Sequence, residues 1–162
     1  MMPKFGLKSR KKLETCNKKI QKIMHEAIKR MDFTVLCGFR SEEEQNKAYS
    51  KGASKLKFPK SRHNKNPSDA IDIAPWPIDW NNLARFRKLA SIVKEEAKKL
   101  GYKVTWGGDW TTLVDMPHFQ IEKGTIKKTK KPIKKKKPTL PNGPSEDDIN
   151  VSLEDIENQI ID

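Results

Sequence analysis

Apolar positions recur at helical spacing in three segments of the chain. Between residues 10 and 31 they form one stripe with lysines on the other face, which predicts a single amphipathic helix. A serine followed three positions later by a glutamate opens the segment 41–49 as a capping box, which predicts a second helix. Asp79 is placed to cap a long third helix that ends at Leu100, with Gly101 positioned to terminate it.

Four shorter runs are rich in β-branched and aromatic residues and are bounded by turn residues. They predict strands over residues 33–37, 70–74, 102–106 and 118–121. In the second run Asp72 lies between two isoleucines. Because side chains alternate along a strand, Asp72 should share one face with two small alanines while the isoleucines take the other face.

Helices and short strands that do not follow regular βαβ alternation predict an α+β fold. We expect one small domain over residues 1–124, with a short, mostly antiparallel sheet and flanking helices. Residues 125–144 are rich in lysine and proline and predict a disordered linker. Residues 145–162 are acidic, yet their apolar residues fall at helical spacing, which predicts at most a short amphipathic helix.

Charge is distributed unevenly along the chain, whose formal net charge is +13. The segment 125–162 holds eight lysines and seven acidic residues and nets +1, so residues 1–124 carry 13 − 1 = +12. We call residues 1–124 the body of the chain. A segment of this charge is attracted to polyanions such as nucleic acid, anionic membrane or cell-wall polymer. A generic solubilising surface explains the charge equally well at this point.

The sequence also carries signals about the compartment in which the protein is made. No apolar run approaches the roughly 18–20 residues that cross a bilayer, and the basic start is not followed by the apolar segment of a signal peptide. Cys16 and Cys37 are far apart and form no C-x-x-C pair, which predicts two reduced thiols in a protein made in a cytoplasm. We expect a monomer.

Two histidines and an aspartate form a candidate metal set. Asp72 faces inward between small residues, which is costly unless something pairs with it. With His63 and His118 it would make a zinc site that leaves the fourth position to water. The alternative is that His63 caps its loop and Asp72 accepts backbone amides. His25 has no second ligand at helical spacing and is expected at the surface. Asp69 is a rival carboxylate, but its odd offset from Asp72 places it on the other strand face.

Arg40 lies where the first strand ends and the second helix begins. Side chains at such junctions are often presented to a functional site. A surface arginine that pairs with the neighbouring glutamates is an equally good interpretation of the same position.

Four linked motifs give the chain a resemblance to a known family. They are Ser61-Arg62-His63, Ala70 to Pro75, Trp106 to Trp110, and Asp115 to Gln120. In this order they resemble the M15 zinc peptidases, especially the phage-type L-alanyl-D-glutamate endopeptidases, over residues 5–122. One departure is the step from histidine to aspartate, which is nine positions here and usually seven in the family. A longer loop can absorb two residues if both of its ends remain anchored.

The resemblance implies a D-Ala-D-Ala peptidase-like fold and a specific set of roles. His63, Asp72 and His118 would hold Zn²⁺. Asp115 would be the general base in peptide hydrolysis, and Arg40 would steady the oxyanion or a substrate carboxylate. The residues expected to line the cleft are Gln45, Asp109 and Trp110.

The function that the resemblance implies is a phage or prophage endolysin that cuts the L-Ala–D-Glu bond of the peptidoglycan stem peptide. Such an enzyme is made in the host cytoplasm and acts on the wall after release, where a basic surface would help it adsorb to anionic polymer. The alternatives are a D-Ala–D-Ala carboxypeptidase or dipeptidase with the same zinc set, and a non-catalytic binding module. The tail would then act as an electrostatic anchor, as a tether, or as a segment that folds back on the basic body.

Overall fold

The computed structural model describes residues 1–125, so the predictions for the linker beyond Thr125 and for the acidic tail lie outside the described residues. Two single-turn 3₁₀ helices, at Arg62–Asn64 and Gly107–Asp109, lie next to the site described below. No helix in the described part is long and apolar enough to cross a membrane. The helices are α1 (Leu7–Glu14), α2 (Lys18–Ala27), α3 (Glu42–Ser50) and α4 (Leu83–Leu100), and the strands are β1 (Phe33–Cys37), β2 (Ala70–Pro75), β3 (Tyr102–Trp106) and β4 (His118–Thr125).

The four strands form one sheet in the order β1-β2-β4-β3, and every neighbouring pair is antiparallel. The first and last strands along the chain are thus separated by β2, which is central. Asp72 of β2 lies directly opposite His118 of β4 and opposite Cys37 of β1. The predicted α+β class and the antiparallel sheet are confirmed.

The two faces of the sheet carry different kinds of side chain. Ile71 and Ile73 of β2 and Phe119 and Ile121 of β4 belong to the hydrophobic core. α1 packs against β1, and α4 packs against α2, β2 and β3, so these helices cover the core face. Because side chains alternate, the opposite face carries Asp72, as predicted.

The single helix predicted over residues 10–31 is wrong, because two helices occupy that region. The backbone N–H of Asn17 donates to the carbonyl of Ser68, and the N–H of Ser68 donates to the carbonyl of Thr15, each at 2.9 Å. These bonds form an isolated parallel bridge between Cys16 and Ser68, and Asn17 is extended, so the helix cannot continue through this segment. The Asn17 side chain then accepts from the N–H of Ile20 and caps α2. His25 on α2 is exposed, as predicted.

The other predicted helix ends are partly correct. Ser41 and Glu44 form the capping box of α3, and Gly101 ends α4 with φ 79°. Asp79, however, does not cap α4. Asn82 does, by accepting from the N–H of Arg85. Leu83, at the first position of α4, is exposed.

Candidate active site

Three side chains from separate parts of the chain converge on one point. Nε2 of His63 lies 3.2 Å from Oδ1 of Asp72 and 3.3 Å from Nδ1 of His118. Nδ1 of His118 lies 3.1 Å from the same Asp72 oxygen. Both histidines are buried. The structure therefore brings together the three residues predicted to form the metal set, despite the longer His63–Asp72 loop.

The donor geometry fits a divalent cation. Tetrahedral zinc with bonds of about 2.0–2.1 Å has ligand atoms roughly 3.3–3.4 Å apart, close to the observed separations. The outer nitrogens also have acceptors: Nδ1 of His63 lies 2.7 Å from the carbonyl oxygen of Gly38, and Nε2 of His118 lies 3.1 Å from Oε1 of Gln120. Because a carbonyl oxygen only accepts, each outer nitrogen carries the proton and leaves the inner lone pair for a cation.

The electrostatics of this cluster favour positive charge. Burial lowers the pKa of His63, but hydrogen bonds with Asp72 and Cys37 outweigh it and raise that pKa to about 10. Burial favours a higher pKa for Asp72, yet hydrogen bonds from His118 and His63 hold it well below its ordinary value. The cluster thus attracts positive charge, which a proton or a metal ion can supply.

Arg40 points into the site and not toward the glutamates of α3. One guanidinium nitrogen lies 3.6 Å from Oδ2 of Asp72, and the other donates to Oε1 of Gln45 at 3.1 Å. The Gln45 oxygen also accepts from Asn64, and its amide nitrogen donates to Ser54 and to the carbonyl of Leu56. Gln45 therefore lies behind the cleft wall, fully buried, and orients Arg40.

Asp115 lies at the mouth of the same site. Its backbone N–H donates to the carbonyl of Gly107 at 3.0 Å, and its own carbonyl accepts from the N–H of His118 at 3.2 Å. A Cβ added to Gly107 would overlap the Asp115 carbonyl oxygen and crowd the His118 Cβ, so this close approach requires glycine. Burial raises the pKa of Asp115, and the Asp72 carboxylate adds to the rise.

The side chains of Arg40, His63, Asp72, Asp115 and His118 line a cleft of about 500 Å³. One wall is the loop 52–56, and the other is formed by Trp110, Leu113, Val114, Asp115 and Pro117. The Trp110 ring lies 5.1 Å from the ring of His118, as expected for a cleft residue. The other two predicted lining residues are absent from the described cleft: Gln45 is behind the wall, and Asp109 pairs with Lys94.

Two further residues near His63, Asp72 and His118 could compete for their roles as metal ligands. Asp69 accepts from Asn17 at 2.8 Å and from Lys65 at 2.7 Å, and it lies outside the cleft. Cys37 was missed by the sequence analysis as a site residue. Potential ligand atoms of Cys37, His63 and Asp72 lie within 4.8 Å of one another. Only the strand register, which places Cys37 opposite Asp72, reveals this proximity.

The cysteines are both free thiols, as predicted. Cys16 is buried in the core, and desolvation raises the pKa of its thiol to about 12. It is therefore an inert core residue, whereas Cys37 lies at the edge of the site.

Known proteins match this chain over the region that contains these residues. The family model for phage L-alanyl-D-glutamate peptidase matches residues 1–133. The L-alanyl-D-glutamate peptidase of Escherichia phage T5 is 37% identical over 128 residues, which cover 75% of this chain and 91% of that protein. The peptidoglycan L-alanyl-D-glutamate endopeptidase CwlK of Bacillus subtilis (strain 168) is 31% identical over 110 residues, covering 59% of this chain and 64% of that protein.

A solved structure agrees with these relatives. The crystal structure of the Serratia marcescens L-Ala D-Glu endopeptidase ChiX superimposes with a TM-score of 0.64 at 28% identity, and the match covers 73% of this chain and 89% of that chain. The family match extends over the whole described region, including every residue of the cleft. The chain belongs to the phage L-alanyl-D-glutamate peptidase family.

Proposed function

We propose that this protein is a zinc-dependent peptidase that hydrolyses the L-Ala–D-Glu bond in the stem peptide of bacterial peptidoglycan. The bond is the one named for the phage T5, Bacillus and Serratia relatives. The observation that carries the proposal is the convergence of the His63, Asp72 and His118 ligand atoms within 3.3 Å. Asp115 and Arg40 line the same cleft, as a hydrolytic site requires.

His63, Asp72 and His118 would hold the ion. When bound, zinc supplies Lewis acidity, which polarises a carbonyl and lowers the pKa of water to about 7. The hydrogen bonds from the outer imidazole nitrogens to Gly38 and Gln120 keep both rings in the orientation that presents the inner nitrogens.

Asp115 is assigned as the general base. None of the hydrogen bonds found among the described residues uses its carboxylate, so both oxygens are available to accept a proton from the attacking water. A raised pKa makes it a better proton acceptor than an ordinary aspartate.

Arg40 is assigned to the developing oxyanion. Its guanidinium is held by Gln45 and Asp72 and remains charged throughout the reaction, so its donors need no reorganisation as charge builds on the substrate.

In its biological setting the protein would act as a phage or prophage endolysin. It would be made in the host cytoplasm and reach the wall at lysis, as a monomer. The +12 body would assist adsorption to anionic wall polymer.

The decisive experiment pairs metal analysis of the purified protein with mass spectrometry of digested peptidoglycan. We expect about one zinc per chain and products with a new amino-terminal D-glutamate. A chelator should abolish the digestion, and added zinc should restore it. Asp115→Asn should retain zinc but lose hydrolysis by at least about a hundredfold, because the proton acceptor is removed while the metal ligands are intact.

Three other outcomes would contradict the proposal in different ways. Release of D-alanine would identify a D-Ala–D-Ala carboxypeptidase or dipeptidase with the same metal set. Binding to walls without digestion, at every metal concentration, would identify a non-catalytic module. Full activity of Asp115→Asn would place the general base elsewhere.

A further inference from the structure

A second cavity of about 380 Å³ lies beside the cleft and has a strongly basic lining. We call it the basic pocket. Its cationic residues are Lys18, Lys19, Arg62, Lys65 and Lys123, and its two carboxylates belong to Asp69 and Glu122. Among the described lining residues, five positive and two negative charges give a net charge of +3.

The two carboxylates are already engaged. Asp69 pairs with Lys65 at 2.7 Å, and Glu122 pairs with Arg62 at 3.5 Å. Among the described residues, Lys18, Lys19 and Lys123 have no acidic partner within 4.0 Å, and all three are exposed. The Lys19 ammonium lies over the Tyr102 ring, 5.6 Å from its centroid, and all three ammonium groups lack a carboxylate partner among the described residues. They can therefore attract an anionic group from outside.

The basic pocket is continuous with the cleft. Arg62 precedes the predicted ligand His63 and lines both cavities. On β4, His118 donates toward Gln120, and Gln120 donates to Glu122 at 2.8 Å, so one row of side chains joins the two cavities. At about 3.3–3.4 Å per residue, the four positions from His118 to Glu122 span roughly 13 Å.

An extended peptide covers a similar distance in about four residues, at roughly 3.3–3.6 Å per residue. We infer that the basic pocket binds a carboxylate of the acidic peptide substrate, three or four residues from the bond that is cut. This inference rests on the proposed function, because the stem peptide supplies both the scissile bond and the distant carboxylate. The site would thus favour substrates with a free carboxylate at that distance.

The test compares two triple variants with the same change in net charge. The pocket variant is Lys18→Gln, Lys19→Gln and Lys123→Gln. The matched control is Lys8→Gln, Lys11→Gln and Lys98→Gln, three exposed lysines that line neither cavity. Each variant is assayed on a synthetic stem peptide with a free terminal carboxylate and on the same peptide with that group amidated.

We expect the pocket variant to raise KM for the free-carboxylate peptide about fivefold to tenfold, since each exposed charge contact contributes a factor of about two. kcat should stay within about twofold of the wild type. Amidation should raise the wild-type KM similarly and should add no further loss to the pocket variant. The control variant should match the wild type on both peptides.

Equal KM values for the pocket and control variants on the free-carboxylate peptide would overturn the inference. Calorimetric binding of the same two peptides provides a readout that does not depend on cleavage. If the wild type binds the free-carboxylate peptide more tightly than the amide but cuts neither, the proposed function fails while the pocket assignment stands. If it cuts the peptides and binds both equally, only the pocket assignment fails.

Discussion

The functional groups of the cleft fall into two classes that differ in the structural element that positions them. Asp72 and His118 are carried by neighbouring strands and lie directly opposite each other in the sheet. His63 and Asp115 are carried by a 3₁₀ turn and a loop, and they reach the same point from outside the sheet. Strand-borne groups are placed by the backbone ladder, whereas loop-borne groups must be placed by contacts that differ from one position to the next.

The loop-borne groups are held at several points each. The turn that carries His63 is capped reciprocally by Ser61 and Asn64. The carbonyl of His63 accepts from the N–H of Arg40 at 2.9 Å, and its ring is tied to Gly38. These contacts explain how the loop between His63 and Asp72 delivers the imidazole to that carboxylate. The positions of the loop-borne groups therefore depend on the supporting glycines and buried amide groups as well as on the reactive side chains themselves.

The largest effect is expected from removing the central strand-borne group. Asp72→Ala should lower zinc affinity by more than the roughly tenfold to hundredfold typical of an outer-shell partner, because a direct ligand and the hydrogen bonds to both histidines are lost. Zinc content after dialysis, measured by atomic absorption, checks the result.

Asp69→Ala is the matched control, since Asp69 is three positions away and bonds to Asn17 and Lys65. It should keep a full complement of zinc. Equal zinc loss from both variants would show that the strand register does not select the ligand.

A smaller effect is expected from a substitution that disturbs the contact between Gly107 and the general base Asp115. Gly107→Ala should displace Asp115, because its new Cβ would overlap the Asp115 carbonyl oxygen. A shift of about 1 Å in a catalytic group can reduce the rate about a hundredfold. We expect a loss of kcat of that order, measured on the synthetic stem peptide.

Gly6→Ala is the control for this substitution, because a Cβ at Gly6 meets nothing within 4 Å. It should leave kcat unchanged. If Gly107→Ala also keeps the wild-type kcat, Asp115 is not held by this contact.

The smallest effect is expected behind the cleft wall. Gln45→Met keeps the side-chain volume but removes the acceptor for Arg40 and Asn64 and the donor for Ser54. We expect kcat to fall about tenfold, because Arg40 loses the hydrogen bond that orients it, and the free energy of unfolding to fall by about 1–3 kcal/mol. Zinc content should not change. Steady-state kinetics and urea unfolding measure the two effects separately.

Gln21→Met is a suitable comparison, because within residues 1–125 Gln21 donates its side-chain amide only to the carbonyls of Glu14 and Cys16, away from the cleft. It should affect stability alone. Loss of kcat in both variants would mean that Gln45 acts through general stability and does not orient Arg40.

Local patterns allowed much of the architecture to be predicted. The strand over residues 33–37 and the strand over 102–106 have the predicted bounds, and β2 and β4 differ from prediction only at their ends. These segments were predictable because alternation and turn residues are local properties of the chain. The first helix was mispredicted because Ser68, distant in sequence, pairs with residues 15 and 17. Helical spacing cannot report such a contact.

The residues of the site also divide into those whose positions local patterns predicted and those whose positions they did not. Alternation predicted that Asp72 lies on the strand face opposite its two flanking isoleucines, and the structure places both isoleucines in the core. By contrast, Gln45 was expected to line the cleft and is instead buried behind it, and Cys37 was not considered for the site. Both positions depend on how β1 and α3 lie against the rest of the fold.

The sequence by itself determined which residue types are available and, through periodicity, which face of each strand they occupy. It also carried the four motifs that indicate the family. Only the tertiary structure decided that His63, Asp72 and His118 meet within 3.3 Å, that Arg40 turns toward Asp72, and that the basic pocket adjoins the cleft. The physical reason is that periodicity constrains a side chain relative to its own backbone. Distances between side chains on different elements arise from packing and long-range hydrogen bonds, which local sequence does not encode.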